Sequence, residues 1–128
     1  MEEGKKMMEQ VSKDSMSIPA MFFKSFEEIQ KEIHKTAIEK GWWDADRNDG
    51  ELIALIHSEL SEALEALREG NPPCEKTGHF SSVTVELADA VIRIMDFAEA
   101  RGYCIAGAII AKMNFNRTRE RMHGGKKF

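Results

Sequence analysis

Residues 57–70 read HSELSEALEALREG and carry the clearest helical pattern of the chain. At about 100° of rotation per residue, the apolar residues on and just before this stretch form one broad helix face: Leu52, Leu55, Ile56, Leu60, Ala63, Ala66 and Leu67. Glu59 falls inside that face, Glu62 lies at its edge, and Glu65 points away from it. Burying a carboxylate costs free energy unless it meets a cation, a metal ion or a proton. Glu59 is therefore expected to have a partner.

Helical periodicity recurs along the chain and predicts an all-α fold of four-helix-bundle type. The sequence SFEE at residues 25–28 has the S-x-x-E form of a capping box, which predicts the start of a first helix that Gly41 ends. Further helices are expected over residues 51–70, 81–101 and about 104–122. We expect an N-terminal arm over residues 1–24 and a single domain over residues 25–128.

Composition limits the function classes. The net charge of −4 argues against binding to a nucleic acid polymer, because phosphate backbones require clustered Lys and Arg. The two cysteines have no metal-finger spacing, which favours a reducing, cytoplasmic setting. No apolar run approaches membrane-spanning length, so no membrane association is expected.

The third predicted helix is apolar around most of its circumference. Its narrow polar stripe consists of Glu86, Asp89, Arg93 and Asp96. The three other helices of so short a chain cannot cover this apolar surface, so we expect a homodimer or homotetramer.

Two helices each offer a pair of carboxylates three residues apart. These pairs are Glu59 with Glu62 and Glu86 with Asp89. Residues at i and i+3 share a helix face, so the pairs can bring four oxygen ligands to one point, as Mg²⁺ or Mn²⁺ requires. The spacing therefore favours a metal site at these four acids.

The ordered set of motifs ELSE at residues 59–62, ELAD at 86–89 and KMNFN at 112–116, followed by Arg119, resembles the MazG-like all-α nucleotide pyrophosphohydrolases, which are related to the dimeric dUTPases. The resemblance covers about residues 25–128. It implies Mg²⁺-dependent hydrolysis of a nucleoside triphosphate to a monophosphate and pyrophosphate, including removal of non-standard nucleotides. It also implies that the four acids bind metal and act in catalysis.

Phosphate contact is expected on the fourth helix. Lys112 and Asn116 share a face, and Arg119 follows one turn later. The resemblance places the Lys and the Asn near the phosphates. The alternative for Lys112 and Arg119 is a favourable interaction with the negative end of their own helix.

The adjacent Trp42 and Trp43 are candidates for base binding, because an indole stacks on any nucleobase. We expect one of the pair to cap the core and the other to stack on the base. Three histidines, His34, His57 and His79, have no ligand spacing and are expected at the surface or in loops.

Other classes remain open. A ferritin-like di-iron site would require Glu-x-x-His pairs, which neither Glu59 nor Glu86 provides. A non-catalytic helical module that binds a nucleotide or a partner would have the same charges. Glu59 would then have a structural role, paired with Arg93 or another cation.

Overall fold

The computed structural model describes residues 16–120, and these residues contain four α-helices and no strand. In chain order the helices are α1 (Ile18–Glu39), α2 (Asp49–Arg68), α3 (Ser82–Arg101) and α4 (Ile105–Thr118). The predicted all-α class is confirmed for this part of the chain. Residues 1–15 of the predicted arm, and Met122 at the predicted end of the last helix, lie outside the described residues.

Helix α1 begins earlier than the capping box predicts. Ser17 precedes the helix, and its Oγ accepts a hydrogen bond from the backbone N–H of Ala20 at 3.3 Å. Pro19 stands in the first turn, where its missing N–H leaves no hydrogen bond unmade. The prediction that the helix starts at Ser25 is wrong, because Ser17 supplies an earlier cap and Ser25 lies within the helix.

Helices α2 and α3 begin and end close to the predicted residues, and side chains cap the start of each. Asn48 accepts a hydrogen bond from the N–H of Glu51 at 2.8 Å, and Ser81 accepts one from the N–H of Thr84. Gly102, with φ of 72°, ends α3 in the left-handed conformation that favours glycine.

The described chain divides into two compact units, residues 29–103 and residues 16–28 with 104–120. In the first unit α2 and α3 pack along each other. Their shared core is built mostly from small side chains, which let the two helix axes approach closely: Leu52, Ala63, Ala66, Ala90, Met95 and Ala98.

Both helices of this pair also carry exposed apolar side chains. On α3, Leu87 and Val91 are 48% and 49% exposed. On α2 the exposed apolar residues are Ile53, Leu60, Leu64 and Leu67. Among residues 16–120, part of the apolar surface that the sequence predicts for α3 is therefore exposed.

The connection from α2 to α3 is closed by hydrogen bonds at its base. Asn71 has φ of 52°, and its Oδ1 accepts a hydrogen bond from the N–H of Val83 at 2.9 Å. Both the N–H and the Oγ of Ser82 donate to the carbonyl of Pro72. The first residues of the connection are thereby tied to the start of α3.

The other unit contains α4, which ends at Thr118 rather than at the predicted residue 122 because Arg119 has an extended backbone. In this unit Ala106 is fully buried. Within residues 16–120, no helix is both long enough and apolar enough to cross a membrane.

Candidate metal site and ligand cavity

Three carboxylates from α2 and α3 converge in the unit formed by residues 29–103. Glu59, Glu62 and Glu86 each offer one oxygen, and these oxygens lie within 4.8 Å of one another. Glu59 is only 7% exposed, which confirms its predicted inward position. Asp89 lies outside this group of three but lines the same cavity. Hard oxygen ligands at this spacing can hold a divalent cation.

Arg93 is the partner of Glu59. Its Nε donates a hydrogen bond to Oε1 of Glu59 at 2.5 Å, and the two residues form an ion pair between α3 and α2. The Arg93 side chain is 28% exposed and that of Glu59 only 9%. The structural alternative for Glu59 is thus present as a contact, and the same contact places a cation where a metal ion would share the carboxylate.

The three acids of this cluster differ in pKa. Burial acts to raise the pKa of Glu59, but hydrogen bonds from Arg93 and Glu62 and the Arg93 charge outweigh it, so the pKa is lowered. The hydrogen bond to Glu59 raises the pKa of Glu62, and burial adds to the rise. Burial and the nearby charge of Asp89 raise the pKa of Glu86. Among residues 16–120 the only ion pair of the cluster is that of Arg93 with Glu59, so Glu62 and Glu86 have no paired cation.

A cavity of about 490 Å³ opens over these acids. This volume lies within the range of about 300–1,000 Å³ typical of small-molecule sites. Besides the acids, its lining includes two lysines, Lys40 from the end of α1 and Lys76 from the connection between α2 and α3. Neither lysine forms an ion pair with any residue in the described range. The cavity therefore presents unpaired charges of both signs.

The two tryptophans have separate positions. Trp42 lines the cavity and is 45% exposed, and the guanidinium carbons of Arg93 and Arg47 lie 5.2 and 5.3 Å from its ring centroid. Trp43 is half-buried, and its Nε1 donates to both carboxylate oxygens of Asp96 at 3.0 and 3.1 Å. The expected division between one packed and one accessible indole is observed, with Trp42 as the accessible one.

Asp96 also accepts a hydrogen bond from Nδ1 of His34 at 2.7 Å. The His34 ring meets the Trp43 ring edge-on, with 5.4 Å between centroids. The prediction that His34 is a surface residue is wrong, because Asp96 and Trp43 hold it half-buried. His57 and His79 are exposed as expected.

The residues predicted to contact phosphate lie in the other unit. Lys112 and Asn116 line a shared pocket on α4, as their spacing predicts. The charged groups of Lys112 and Arg119 lie 4.7 and 5.8 Å from the ring centroid of Phe115. Their contact with a phosphate stays a prediction.

Sequence reasoning missed Lys40 and Lys76 as cavity residues and His34 as a partner of Asp96. Lys40 follows a helix end and Lys76 lies in a turn, positions where lysines are common, so no sequence signal distinguishes them from other surface lysines.

Comparison with models of protein families, with curated proteins and with solved structures found no match to this chain.

Proposed function

We propose that this protein is a metal-dependent nucleoside triphosphate pyrophosphohydrolase of MazG-like type, which releases a nucleoside monophosphate and pyrophosphate. The observation that supports this most directly is one cavity that combines three converging carboxylates with two unpaired lysines. A ligand that matches such a cavity carries both a bound cation and a polyanion. A complex of Mg²⁺ or Mn²⁺ with a triphosphate has this character.

In this proposal Glu59, Glu62 and Glu86 hold the metal, and Asp89 completes the ligand set from the cavity wall. Bound there, the ion would neutralise phosphate oxygens and lower the pKa of water. An acid that the ion does not fully engage can orient the attacking water by accepting its hydrogen bond.

Lys40 and Lys76 are the cavity's own candidates for phosphate contact. Each is exposed at the cavity and has no carboxylate partner among residues 16–120, so its ammonium group remains available to an anion. Lys76 is also close enough to Glu86 to lower the pKa of that carboxyl slightly against the larger opposing effects. The proposal retains Lys112, Asn116 and Arg119 as phosphate-binding residues on the basis of the motif resemblance.

Trp42 is the proposed base-stacking residue, because its indole is accessible at the cavity whereas that of Trp43 is held by Asp96. Stacking tolerates different bases, which agrees with a role in removing non-standard nucleotides.

We also propose that the chain acts in the cytoplasm as a homodimer or homotetramer. The exposed apolar residues of α2 and α3 form a surface of the type that a second copy covers. Cys74 and Cys104 are both free thiols, which agrees with the reducing conditions of the cytoplasm.

A non-catalytic nucleotide-binding or partner-binding module is the second candidate. The specific observation in its favour is the ion pair between Arg93 and Glu59, which gives the buried carboxylate a structural partner without any metal.

The experiment that tests the proposal measures pyrophosphate release from a panel of nucleoside and deoxynucleoside triphosphates, with Mg²⁺, with Mn²⁺ and with a chelator. We expect metal-dependent release of pyrophosphate, with the monophosphate as the other product. A Glu62→Gln variant should lose this release, and Glu65→Gln, which alters an exposed acid of the same helix, should retain it. Nucleotide binding without turnover would favour a non-catalytic nucleotide-binding module, and the absence of any nucleotide binding would contradict the enzyme and leave only a partner-binding module.

A further inference from the structure

Arg93 contacts both the acid cluster and Trp42, which line the same cavity. Its Nε donates to Glu59 in the acid cluster, and its guanidinium carbon lies 5.2 Å from the centroid of the Trp42 ring. Arg93 is therefore the one cation in the described residues that joins the carboxylates to the exposed indole.

The hydrogen bond from Arg93 uses only one of its three nitrogens. Within residues 16–120, neither Nη atom donates to an acceptor, and Arg93 lines the cavity. Two terminal N–H groups of a guanidinium form a fork that matches two phosphate oxygens. Arg93 thus contacts the Glu59 carboxylate through Nε alone, and its two Nη atoms remain available to an anion.

A divalent ion and Arg93 would compete for the same carboxylate group, that of Glu59. Oε1 of Glu59 lies 2.5 Å from Nε of Arg93, and Glu59 is the most buried of the three candidate ligands. A metal–oxygen bond at Glu59 would bring a second positive centre to a carboxylate that already pairs with Arg93, and the repulsion between two cations is unfavourable at such short range.

We infer that Arg93 is an internal cation that occupies the acid cluster until a divalent ion displaces it, and that its freed guanidinium then binds the phosphates of the ligand. This inference rests on the proposed function, because it takes the acid cluster to be the metal site. It assigns Arg93 a binding role that changes with the state of the site: a counter-ion without metal and a phosphate ligand with metal.

The two roles predict opposite effects of one substitution. In Arg93→Gln the competing cation is absent, so Mn²⁺ should bind more tightly, by about tenfold for the loss of one charged hydrogen bond. Inorganic pyrophosphate, added with saturating Mn²⁺, should bind about tenfold more weakly because the guanidinium fork is gone. A purely structural role for Arg93 would weaken both.

Arg47→Gln is the matched control. Arg47 also stands over Trp42, at 5.3 Å, but it pairs with Glu51 at 2.9 Å and not with the acid cluster. This variant should leave Mn²⁺ affinity unchanged. Arg93→Lys serves as a second variant in case Arg93→Gln does not fold: it keeps a cation but not the fork, so Mn²⁺ affinity should stay near that of the wild type while pyrophosphate binding weakens.

Calorimetric titration of the full chain at pH 8 gives each affinity. The inference is supported if Arg93→Gln binds Mn²⁺ more tightly and pyrophosphate more weakly than the wild type, while Arg47→Gln binds Mn²⁺ with wild-type affinity. Unchanged or weaker Mn²⁺ binding in Arg93→Gln overturns it while leaving the metal site of the wild type intact, as does pyrophosphate binding at wild-type strength in Arg93→Lys. A wild type that binds no Mn²⁺ removes the proposed function itself and identifies the Arg93–Glu59 pair as structural.

Discussion

Residues 29–103 contain two groups of side chains built around carboxylates of α2 and α3: one around Asp96, and the acid cluster. They differ in how many hydrogen-bond donors and cations the carboxylates contact. Asp96 accepts hydrogen bonds from two neighbouring donors, Trp43 and His34, and is half-buried between their rings. In the acid cluster of Glu59, Glu62 and Glu86, the one ion pair among residues 16–120 joins Arg93 to Glu59.

The difference indicates what each group does. A carboxylate with matched donors stabilises the fold that holds it. Carboxylates that face one another without enough donors oppose folding, and the raised pKa values of Glu62 and Glu86 reflect both burial and the neighbouring carboxylates. An arrangement that opposes stability is typical of a site that binds a ligand. Asp96 lines the same cavity as the acid cluster, but its matched donors favour a structural role, whereas the unmatched acids agree with the proposed metal site.

The largest expected effect comes from Glu59→Gln. The substitution keeps the shape of the side chain and removes its charge, so Mn²⁺ affinity and turnover should each fall by at least about a hundredfold, since even indirect partners of a metal contribute about 10–100-fold. The stability of the metal-free protein should change by no more than about 1 kcal/mol, because Arg93 is partly exposed and retains solvent. Calorimetry and urea unfolding measure the two quantities.

Glu65→Gln is the control for this prediction. Glu65 lies on the same helix with its side chain 60% exposed, 3.8 Å from Arg68, so the substitution should be silent in both measurements. A loss of about 3–5 kcal/mol in Glu59→Gln, of the kind seen when a buried pair loses one partner, together with unchanged Mn²⁺ affinity, would instead make the acid cluster structural and erase the contrast with Asp96.

Asp96→Ala should produce the opposite pattern. It leaves Nε1 of Trp43 and Nδ1 of His34 without their acceptor, and unsatisfied donors of this kind cost about 1–3 kcal/mol. We expect a loss of unfolding free energy in that range, measured by urea unfolding, with Mn²⁺ affinity retained. Asp96→Asn keeps one acceptor oxygen and should lose less. If Asp96→Ala reduced Mn²⁺ affinity as strongly as Glu59→Gln, the two groups would form one site.

The smallest effect concerns pH. Side-chain carboxyl resonances of the metal-free protein should titrate above 4.5 for Glu62 and Glu86 and below 4.5 for Glu59, where 4.5 is the ordinary value. Raised pKa values mean that Glu62 and Glu86 contribute most to stability below pH 4.5 and lose that contribution as the pH rises through their folded values. Glu59, with a lowered pKa, contributes above pH 4.5 and loses its contribution as the pH falls through its folded value.

Saturating Mg²⁺ should shift the titrations of Glu62 and Glu86 to lower pH, because a bound cation favours the ionised carboxylate. Titrations of these two residues that do not respond to Mg²⁺ would count against their role as ligands. Glu65 provides the reference resonance for general salt effects.

Local geometry explains which features could be predicted from the sequence. The inward position of Glu59 follows from helix periodicity alone, and the caps at Asn48 and Ser81 follow from residue type. The predicted start of α1 is wrong because two serines, Ser17 and Ser25, can each cap a helix. In the structure Ser17 is the cap, and Pro19 stands in the first helical turn.

Positions that depend on packing between distant segments could not be predicted. Trp42 and Trp43 are adjacent in sequence, and only the approach of Asp96 from α3 determines which of them is held. The same applies to Lys40 and Lys76, whose place in the cavity depends on where a helix end and a turn lie in space. Their residue types carry no signal for that.

The closed connection between α2 and α3 also affects how the protein folds. The three clustered acids come from consecutive helices joined only by residues 69–81, and the entropy needed to close a connection grows slowly with its length. Contacts between segments so near in sequence form early in folding compared with distant ones. We therefore expect the α2–α3 pair to form early, and a divalent ion that binds these acids as proposed would act on the folding reaction as well as on the finished protein.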